Sequence, residues 1–295
     1  MNPRYTGLWP AMLTPLREDG APCLETVARL IELFVQQGLG GVYLTGSTGQ
    51  WPLLTPEERR SIVEVAVKTA AGRLPVMVHV GAPATGEAMA LARHAAEVGA
   101  DAVAAVGPSY YGHSSAGVFE HYRQIGGATG LPFYVYHLMG VTQALTDPAG
   151  YVEQLLTLPN IAGMKYTDRD LYTLGVMRAC AGDRLNFFSG ADELLCHAVL
   201  SGADGAIGTF YNLWGAECHA ARAACVAGDL DTARDFMLRF QLALSRILAG
   251  AGTWSFLRTA MRRKHGIEVG MPRPPLGATD REWSVAEVDE LLALV

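Results

Sequence analysis

The feature that most constrains the fold of this chain is an eightfold alternation of short apolar runs with amphipathic stretches. Most of the runs start at intervals of about 25–35 residues, which is the length of one strand plus one crossover helix. The candidate strands are 7–15, 41–46, 75–81, 102–108, 132–137, 161–167, 186–191 and 205–210. Eight such units predict an α/β fold, a (β/α)8 TIM barrel, with a doubly wound open sheet as the alternative.

The pattern changes after residue 212, where only helices are predicted, over 215–228, 229–250, 253–265 and 284–294. We therefore expect a (β/α)8 barrel over residues 1–214 and a C-terminal helical extension over 215–295. The segment "MPRPPLG" (271–277) predicts an extended connector, because Pro and Gly dominate it. In "TPEER", Thr55 is predicted to cap a helix whose first residue is Pro56, and Glu58 completes a capping box.

Composition restricts the possible partners and the compartment. The chain of 295 residues is 50% hydrophobic and carries a net charge of −6, so we expect a well-packed globule and no nucleic-acid partner. No apolar run is long enough to span a bilayer, and the start "MNPRYTGLWP" lacks the pattern of a secretory signal. The five cysteines contain no C-x-x-C pair and are typical of reduced thiols, which favours a cytoplasmic protein.

Polar and glycine-rich segments follow the predicted strands at one end. They are "TGSTG" (45–49), "SYYGHS" (109–114), the pair Tyr136 and His137, Lys165, "SGADE" (189–193) and "GTFYN" (208–212). In a barrel of this kind the carboxyl ends of the strands form one rim, and the chemistry takes place there. The sequence therefore predicts a single site at that rim.

Lys165 ends the apolar strand "IAGMKYT", where a charged group is costly. One interpretation is a packed stem whose head reaches water. The other is a desolvated amine that attacks a ketone to form a Schiff base. Tyr136 lies in "PFYVYH", and it is either a core tyrosine or a phenol that moves protons beside the lysine.

The loop "TGSTG" is either a plain connection or an anion nest, in which backbone N–H groups and the hydroxyls of Ser47 and Thr48 bind a carboxylate. Asp192 and Glu193 are either favourable charges at a helix start or acceptors for substrate hydroxyls. His94 and Glu97 share a helix face without further ligands, so we expect no metal site.

Taken together these segments resemble the pyruvate-dependent class I aldolases, the family of N-acetylneuraminate lyases and dihydrodipicolinate synthases. The resemblance covers nearly the whole chain. It rests on "PAMLTPL", "GSTGQWPLLTPEER", "PSYYGHSSAGVFEHY", "PFYVYH", "IAGMKYTDRD", "FFSGADELL" and "GADGAIGTFYN", in this order. It implies a barrel with C-terminal helices, usually a homotetramer, whose substrates are pyruvate and an aldehyde, with no cofactor beyond the lysine imine.

The resemblance also implies roles for individual residues. Lys165 matches the Schiff-base lysine, Tyr136 the proton-transferring tyrosine, and Ser47 and Thr48 the pair that binds the pyruvate carboxylate. Thr48 also joins a proton relay whose second tyrosine is Tyr110 or, as we favour, Tyr111, supplied by a neighbouring subunit. Residues matching those that bind a sialic acid tail are Thr167, Gly190, Asp192, Glu193 and Thr209.

The lyase branch fits better than the synthase branch, because residues 137–146 lack the arginine that synthases carry after the strand-five tyrosine. Three positions depart from the family pattern: Gln50 replaces a frequent Glu, and His137 and Met139 replace the usual Asn and Pro. One extra residue also lies between Tyr136 and Lys165. A lyase for another 2-keto-3-deoxy sugar acid, a dihydrodipicolinate synthase, a hydratase-aldolase and a non-catalytic keto-acid binding protein are the alternatives.

Overall fold

The computed structural model describes residues 5–108, 110, 114–142 and 145–295, and within them strands alternate with helices as predicted. The strands are β1 Gly7–Pro10, β2 Val42–Leu44, β3 Val76–His79, β4 Ala102–Val106, β5 Phe133–Leu138, β6 Ile161–Thr167, β7 Asn186–Ser189 and β8 Gly205–Gly208. The helices between them are α1 Leu24–Gln36, α2 Pro56–Ala70, α3 Thr85–Glu97, α4 Ser115–Gly127, α5 Pro148–Leu155, α6 Leu171–Ala181 and α7 Leu195–Leu200. Four further helices follow β8: α8 Tyr211–Val226, α9 Leu230–Ala249, α10 Thr253–His265 and α11 Val285–Leu292.

All eight strands are parallel and pair in the order β1-β8-β7-β6-β5-β4-β3-β2. A parallel bridge between Ala11 and Tyr43 joins β1 to β2, and the N–H of Met12 donates to the carbonyl of Tyr43 at 2.9 Å. These contacts close the sheet into a nearly complete barrel. The (β/α)8 prediction is confirmed.

Side chains alternate between two cores, as parallel strands covered on both faces require. Trp9, Tyr134 and Phe188 fill the barrel interior, with ring centroids 5.4 Å apart for Trp9 and Phe188 and 5.8 Å for Tyr134 and Phe188. Space for them comes from glycines, since a Cβ at Gly41 would lie 2.5 Å from the indole of Trp9. Because these rings fill the barrel interior, we look for the site at the carboxyl ends of the strands.

Several predicted strands are longer than the observed ones. The first, predicted over 7–15, ends at Pro10, where its paired register with β8 stops at Gly208. The eighth, predicted over 205–210, ends at Gly208, and the chain turns into α8. The sixth, 161–167, and the capping box of Thr55 and Glu58 are confirmed.

The C-terminal helices match the predicted ones to within a few residues. Trp214 lies at a kink of α8 and packs edge-on against Phe240 of α9, with 5.9 Å between the ring centroids. The domain boundary predicted after residue 214 falls inside α8, and the division of the chain there stays a prediction. No helix among the described residues has the length and apolarity needed to cross a membrane.

Candidate active site

Lys165 is buried inside the mouth of the barrel. The register pairs it with Tyr136 on β5, and 4% of its surface is exposed. Its Nζ lies 4.0 Å from the ring centroid of Tyr136 and 4.7 Å from that of Tyr43, within the range of a cation–π contact. No hydrogen bond or ion pair to Nζ occurs among the described residues. The side-chain nitrogen therefore lies between two aromatic rings.

Tyr136 connects the lysine to the loop after β2. Its hydroxyl lies 3.4 Å from the Oγ of Ser47, close enough for a weak hydrogen bond in which either group can donate. Its ring meets the rings of Tyr43 and His79 edge-on, with centroid distances of 6.3 and 6.1 Å. These contacts fix the phenol between the amine and the loop.

The loop after β2 leaves two backbone N–H groups and two hydroxyls close to Tyr136 and β8. Among the described residues, the backbone N–H groups of Ser47 and Thr48 have no acceptor. The Oγ1 of Thr48 lies 2.7 Å from the Oγ1 of Thr209, which joins this loop to the end of β8. Free amides beside two hydroxyls are suited to bind a carboxylate.

Asp192 forms the opposite wall, after β7. Its Oδ2 accepts the N–H of Phe210 at 2.7 Å, and the absence of a side chain at Gly208 makes room for the carboxyl. Burial raises the pKa of Asp192 to about 7, against the lowering effects of the Phe210 N–H and of the Lys165 charge. This carboxyl therefore keeps its proton to a higher pH than an exposed aspartate does.

Three more of the predicted tail-binding residues lie at the same rim. Glu193 accepts from the Nε of Arg169 at 3.2 Å. The Oγ1 of Thr167 is buried without a hydrogen-bond partner among the described residues, and a Cβ at Gly190 would lie 1.8 Å from it. Glycine at 190 is therefore required for the threonine hydroxyl to occupy this position.

Comparison with known proteins identifies the family. The family model described as the dihydrodipicolinate synthetase family matches residues 4–293. The chain belongs to that family. An N-acetylneuraminate lyase of Escherichia coli is 33% identical over 287 residues, covering 96% of this chain and 95% of the relative.

Solved structures agree with this assignment. The wild-type sialic acid aldolase of Ruminococcus gnavus superimposes with a TM-score of 0.93 at 26% identity, covering 99% of this chain and 97% of that one. A dihydrodipicolinate synthase from Aquifex aeolicus gives a TM-score of 0.87 at 27% identity, covering 98% and 97%. Membership of this family makes the protein an enzyme, a pyruvate-dependent class I aldolase of the lyase class.

The relay tyrosine and His137 are two further positions that the sequence analysis singled out. Tyr111, the favoured relay tyrosine, lies outside the described residues, and its alternative Tyr110 is 84% exposed. His137, which replaces the usual Asn, points away from the mouth. It stacks on Tyr166 with 5.0 Å between centroids, and its Nε2 lies 3.2 Å from the Oδ2 of Asp168. Its Nδ1 lies 2.8 Å from the Oγ1 of Thr142, so His137 also contacts the loop after β5.

The sequence reasoning missed Tyr43 and His79, whose buried rings pack against Tyr136. Alternation along "GVYLTG" and "PVMVHVG" gave the signal, because it places Tyr43 on the face of its strand that points inward and His79 on the same face as Met77. Among the described residues, no group of three or more His, Cys, Asp or Glu side chains is arranged to hold a metal.

Proposed function

We propose that this family member cleaves a 2-keto-3-deoxy sugar acid of the N-acetylneuraminate type into pyruvate and an aldehyde. The observation that carries the proposal is the row formed by the Lys165 amine, the Tyr136 phenol and the Ser47 hydroxyl. A nucleophile, a proton carrier and a candidate anion site can therefore all contact the same small substrate. The named activities of the E. coli and R. gnavus relatives support the same substrate class.

The reaction begins when the neutral amine of Lys165 attacks the C2 carbonyl of the keto acid. Water leaves after proton transfer, and the protonated imine is an electron sink. The amides and hydroxyls of Ser47 and Thr48 hold the carboxylate, so that C2 stays in line with the amine. The sink is the lysine itself, and the proposed reaction needs no metal or organic cofactor.

Carbon–carbon cleavage follows from the position of the phenol. Tyr136 gives its proton to the water that departs when the imine forms, and the resulting phenolate then receives the proton of the C4 hydroxyl as the C3–C4 electrons move into the imine and the aldehyde leaves. The resulting enamine takes a proton at C3, and hydrolysis releases pyruvate and regenerates the amine. The relay that returns the proton is proposed to use Thr48 and a tyrosine of a neighbouring subunit, Tyr111 or Tyr110, in a homotetramer.

The hydroxylated tail of the substrate is proposed to lie along the wall made by Thr167, Gly190, Asp192, Glu193 and Thr209. The unpaired hydroxyl of Thr167 and the carboxyl of Asp192 supply a donor and an acceptor there. We also propose a cytoplasmic location, which the five cysteines support because all of them are free thiols.

The test is a coupled assay for pyruvate release from N-acetylneuraminate, 2-keto-3-deoxygluconate and related acids. We expect turnover of at least one hydroxylated acid. Condensation of pyruvate with an amino-aldehyde, without any cleavage of these acids, would instead favour the synthase alternative. Pyruvate binding without any turnover would favour a keto-acid binding protein.

A further inference from the structure

Thr45, the residue that leads from β2 into the carboxylate loop, has a left-handed backbone with a φ of 49°. A β-branched residue rarely adopts this conformation, and it persists only where the surroundings enforce it. The residues that follow are Gly46, Ser47 and Thr48. The conformation of Thr45 therefore sets the direction in which the carboxylate-binding amides point.

His79, at the end of β3, holds Thr45 by two hydrogen bonds. Its Nδ1 lies 3.0 Å from the carbonyl oxygen of Thr45, and the Oγ1 of Thr45 donates to the carbonyl of His79 at 3.0 Å. A carbonyl only accepts, so Nδ1 carries the proton. The N–H of Val106 donates to Nε2 at 3.2 Å, which requires that Nε2 be unprotonated. The three contacts assign the neutral Nδ1–H tautomer.

The surroundings of His79 support this state. The ring is fully buried, and Gly81 leaves space for it, since a Cβ there would lie 2.8 Å from Nε2. Burial lowers the pKa of His79 well below its usual value, and the charges of Arg59 and Lys165 act in the same direction. The buried guanidinium of Arg59 also donates to the carbonyl of His79 at 2.6 Å, which fixes the end of β3.

We propose that His79 is a positioning residue for the substrate carboxylate: its Nδ1–H and its carbonyl, each hydrogen-bonded to Thr45, hold that residue in the left-handed conformation and thereby aim the Ser47 and Thr48 amides. The inference rests on the proposed function, because it assigns the loop a keto-acid carboxylate. His79 itself does not touch the substrate. Its effect is expected on keto-acid binding more than on the bond-breaking step.

Two substitutions separate this role from simple packing. In His79→Asn the amide nitrogen occupies the position of Nδ1 and still reaches Thr45, while the contact with Val106 is lost. In His79→Gln the amide oxygen occupies the position of Nε2 and still accepts from Val106, while the bond to Thr45 is lost. Both remove the ring and its contacts with Tyr136 and Trp51, and the shorter Asn leaves the larger cavity, so a packing role alone predicts the larger loss in His79→Asn.

The measurement is the pyruvate dissociation constant by calorimetry, together with KM and kcat on the best substrate. We expect His79→Asn to stay within about threefold of wild type, and His79→Gln to weaken pyruvate binding roughly tenfold with a smaller change in kcat, as for one hydrogen bond. Equal weakening in both variants, or a larger loss in His79→Asn, would overturn the proposal.

A second variant keeps the test decisive if the His79 variants do not fold. Thr45→Val preserves the branched shape and the imidazole and removes only the hydroxyl bond to His79. We expect a loss of pyruvate affinity of about threefold to tenfold, and unchanged affinity would contradict the proposal. If the wild-type protein binds pyruvate without cleaving any sugar acid, the lyase assignment fails. The comparison of the His79 and Thr45 variants stays valid in that case, because it measures pyruvate binding.

Discussion

Asp192→Asn is expected to make the protein more stable at alkaline pH and less able to bind its sugar acid. The variant replaces a buried carboxyl, 6% exposed, with a neutral amide of the same shape. The amide oxygen can still accept the N–H of Phe210. The substitution removes the charge and puts an amide NH2 group in place of one carboxyl oxygen.

The magnitude follows from the pKa of Asp192, which is raised from 3.8 to about 7 in the folded protein. A difference of about three units corresponds to a penalty of about 4 kcal/mol for the ionised form. The folded state keeps its proton between pH 4 and 7, where the unfolded chain has lost it. Stability from this group is therefore complete below pH 4 and is lost as the pH rises through 7.

The assay is urea unfolding of both proteins at pH 5 and pH 8.5, at one protein concentration. We expect the variant to gain about 2–4 kcal/mol over wild type at pH 8.5 and much less at pH 5. Part of the gain is lost because the new amide N–H groups need acceptors. Asp231→Asn is the control, since it is the same chemical change at a carboxyl whose exposed pair with Arg234 contributes about 1 kcal/mol at most. A difference between wild type and Asp192→Asn that does not grow with pH would refute the reasoning.

Three further predictions concern stability and are measured by urea or thermal unfolding. Arg273→Met removes hydrogen bonds to Glu58 and to the carbonyls of Gly20 and Leu53, so we expect it to lower the free energy of unfolding by about 2–3 kcal/mol. The control Arg234→Met removes only an exposed ion pair on α9 and should change the free energy of unfolding by less than about 0.5 kcal/mol. In the wild-type protein the Nε2 of Gln50 faces the carbonyl of Thr14 at 3.5 Å, and Gln50→Glu would place a carboxylate oxygen against that carbonyl. We expect Gln50→Glu to lower the free energy of unfolding by about 1–3 kcal/mol at pH 8 and by less at pH 4, and a loss that does not depend on pH would contradict this explanation. Phe240→Ala should lower the free energy of unfolding by about 3–5 kcal/mol, because Phe240 is fully buried against Trp214. Leu238→Ala, on the exposed side of α9, should lower it by under about 1 kcal/mol, and equal losses in the two variants would contradict the packing described for α8 and α9.

The barrel could be predicted from the sequence because each of its units is local. A buried parallel strand is a short apolar run, and the capping box at Thr55 and Glu58 lies within four residues. Strand ends were less predictable. Residues 11–15 continue the apolar run after Pro10, and only the pairing of β1 with β8 determines where the ladder stops.

The site was predictable only in part. The adjacency of Tyr136 and Lys165 follows from consecutive strands, whereas the contact of Thr48 with Thr209 joins residues 161 positions apart and depends on barrel closure. Asp192 had an interpretation as a favourable helix charge, and its burial became apparent only with the space left by Gly208. His79 was missed because its function depends on the backbone of Thr45, whose conformation no composition or spacing reveals.

The central claim is that the amine of Lys165 bonds covalently to the ketone of the substrate. The most direct measurement is borohydride reduction of the folded protein in the presence of pyruvate, followed by peptide mass spectrometry. We predict one added propionate group, located on Lys165 and absent when borohydride is omitted. Modification of a different residue, or an unmodified Lys165 in protein that binds pyruvate, would contradict the account.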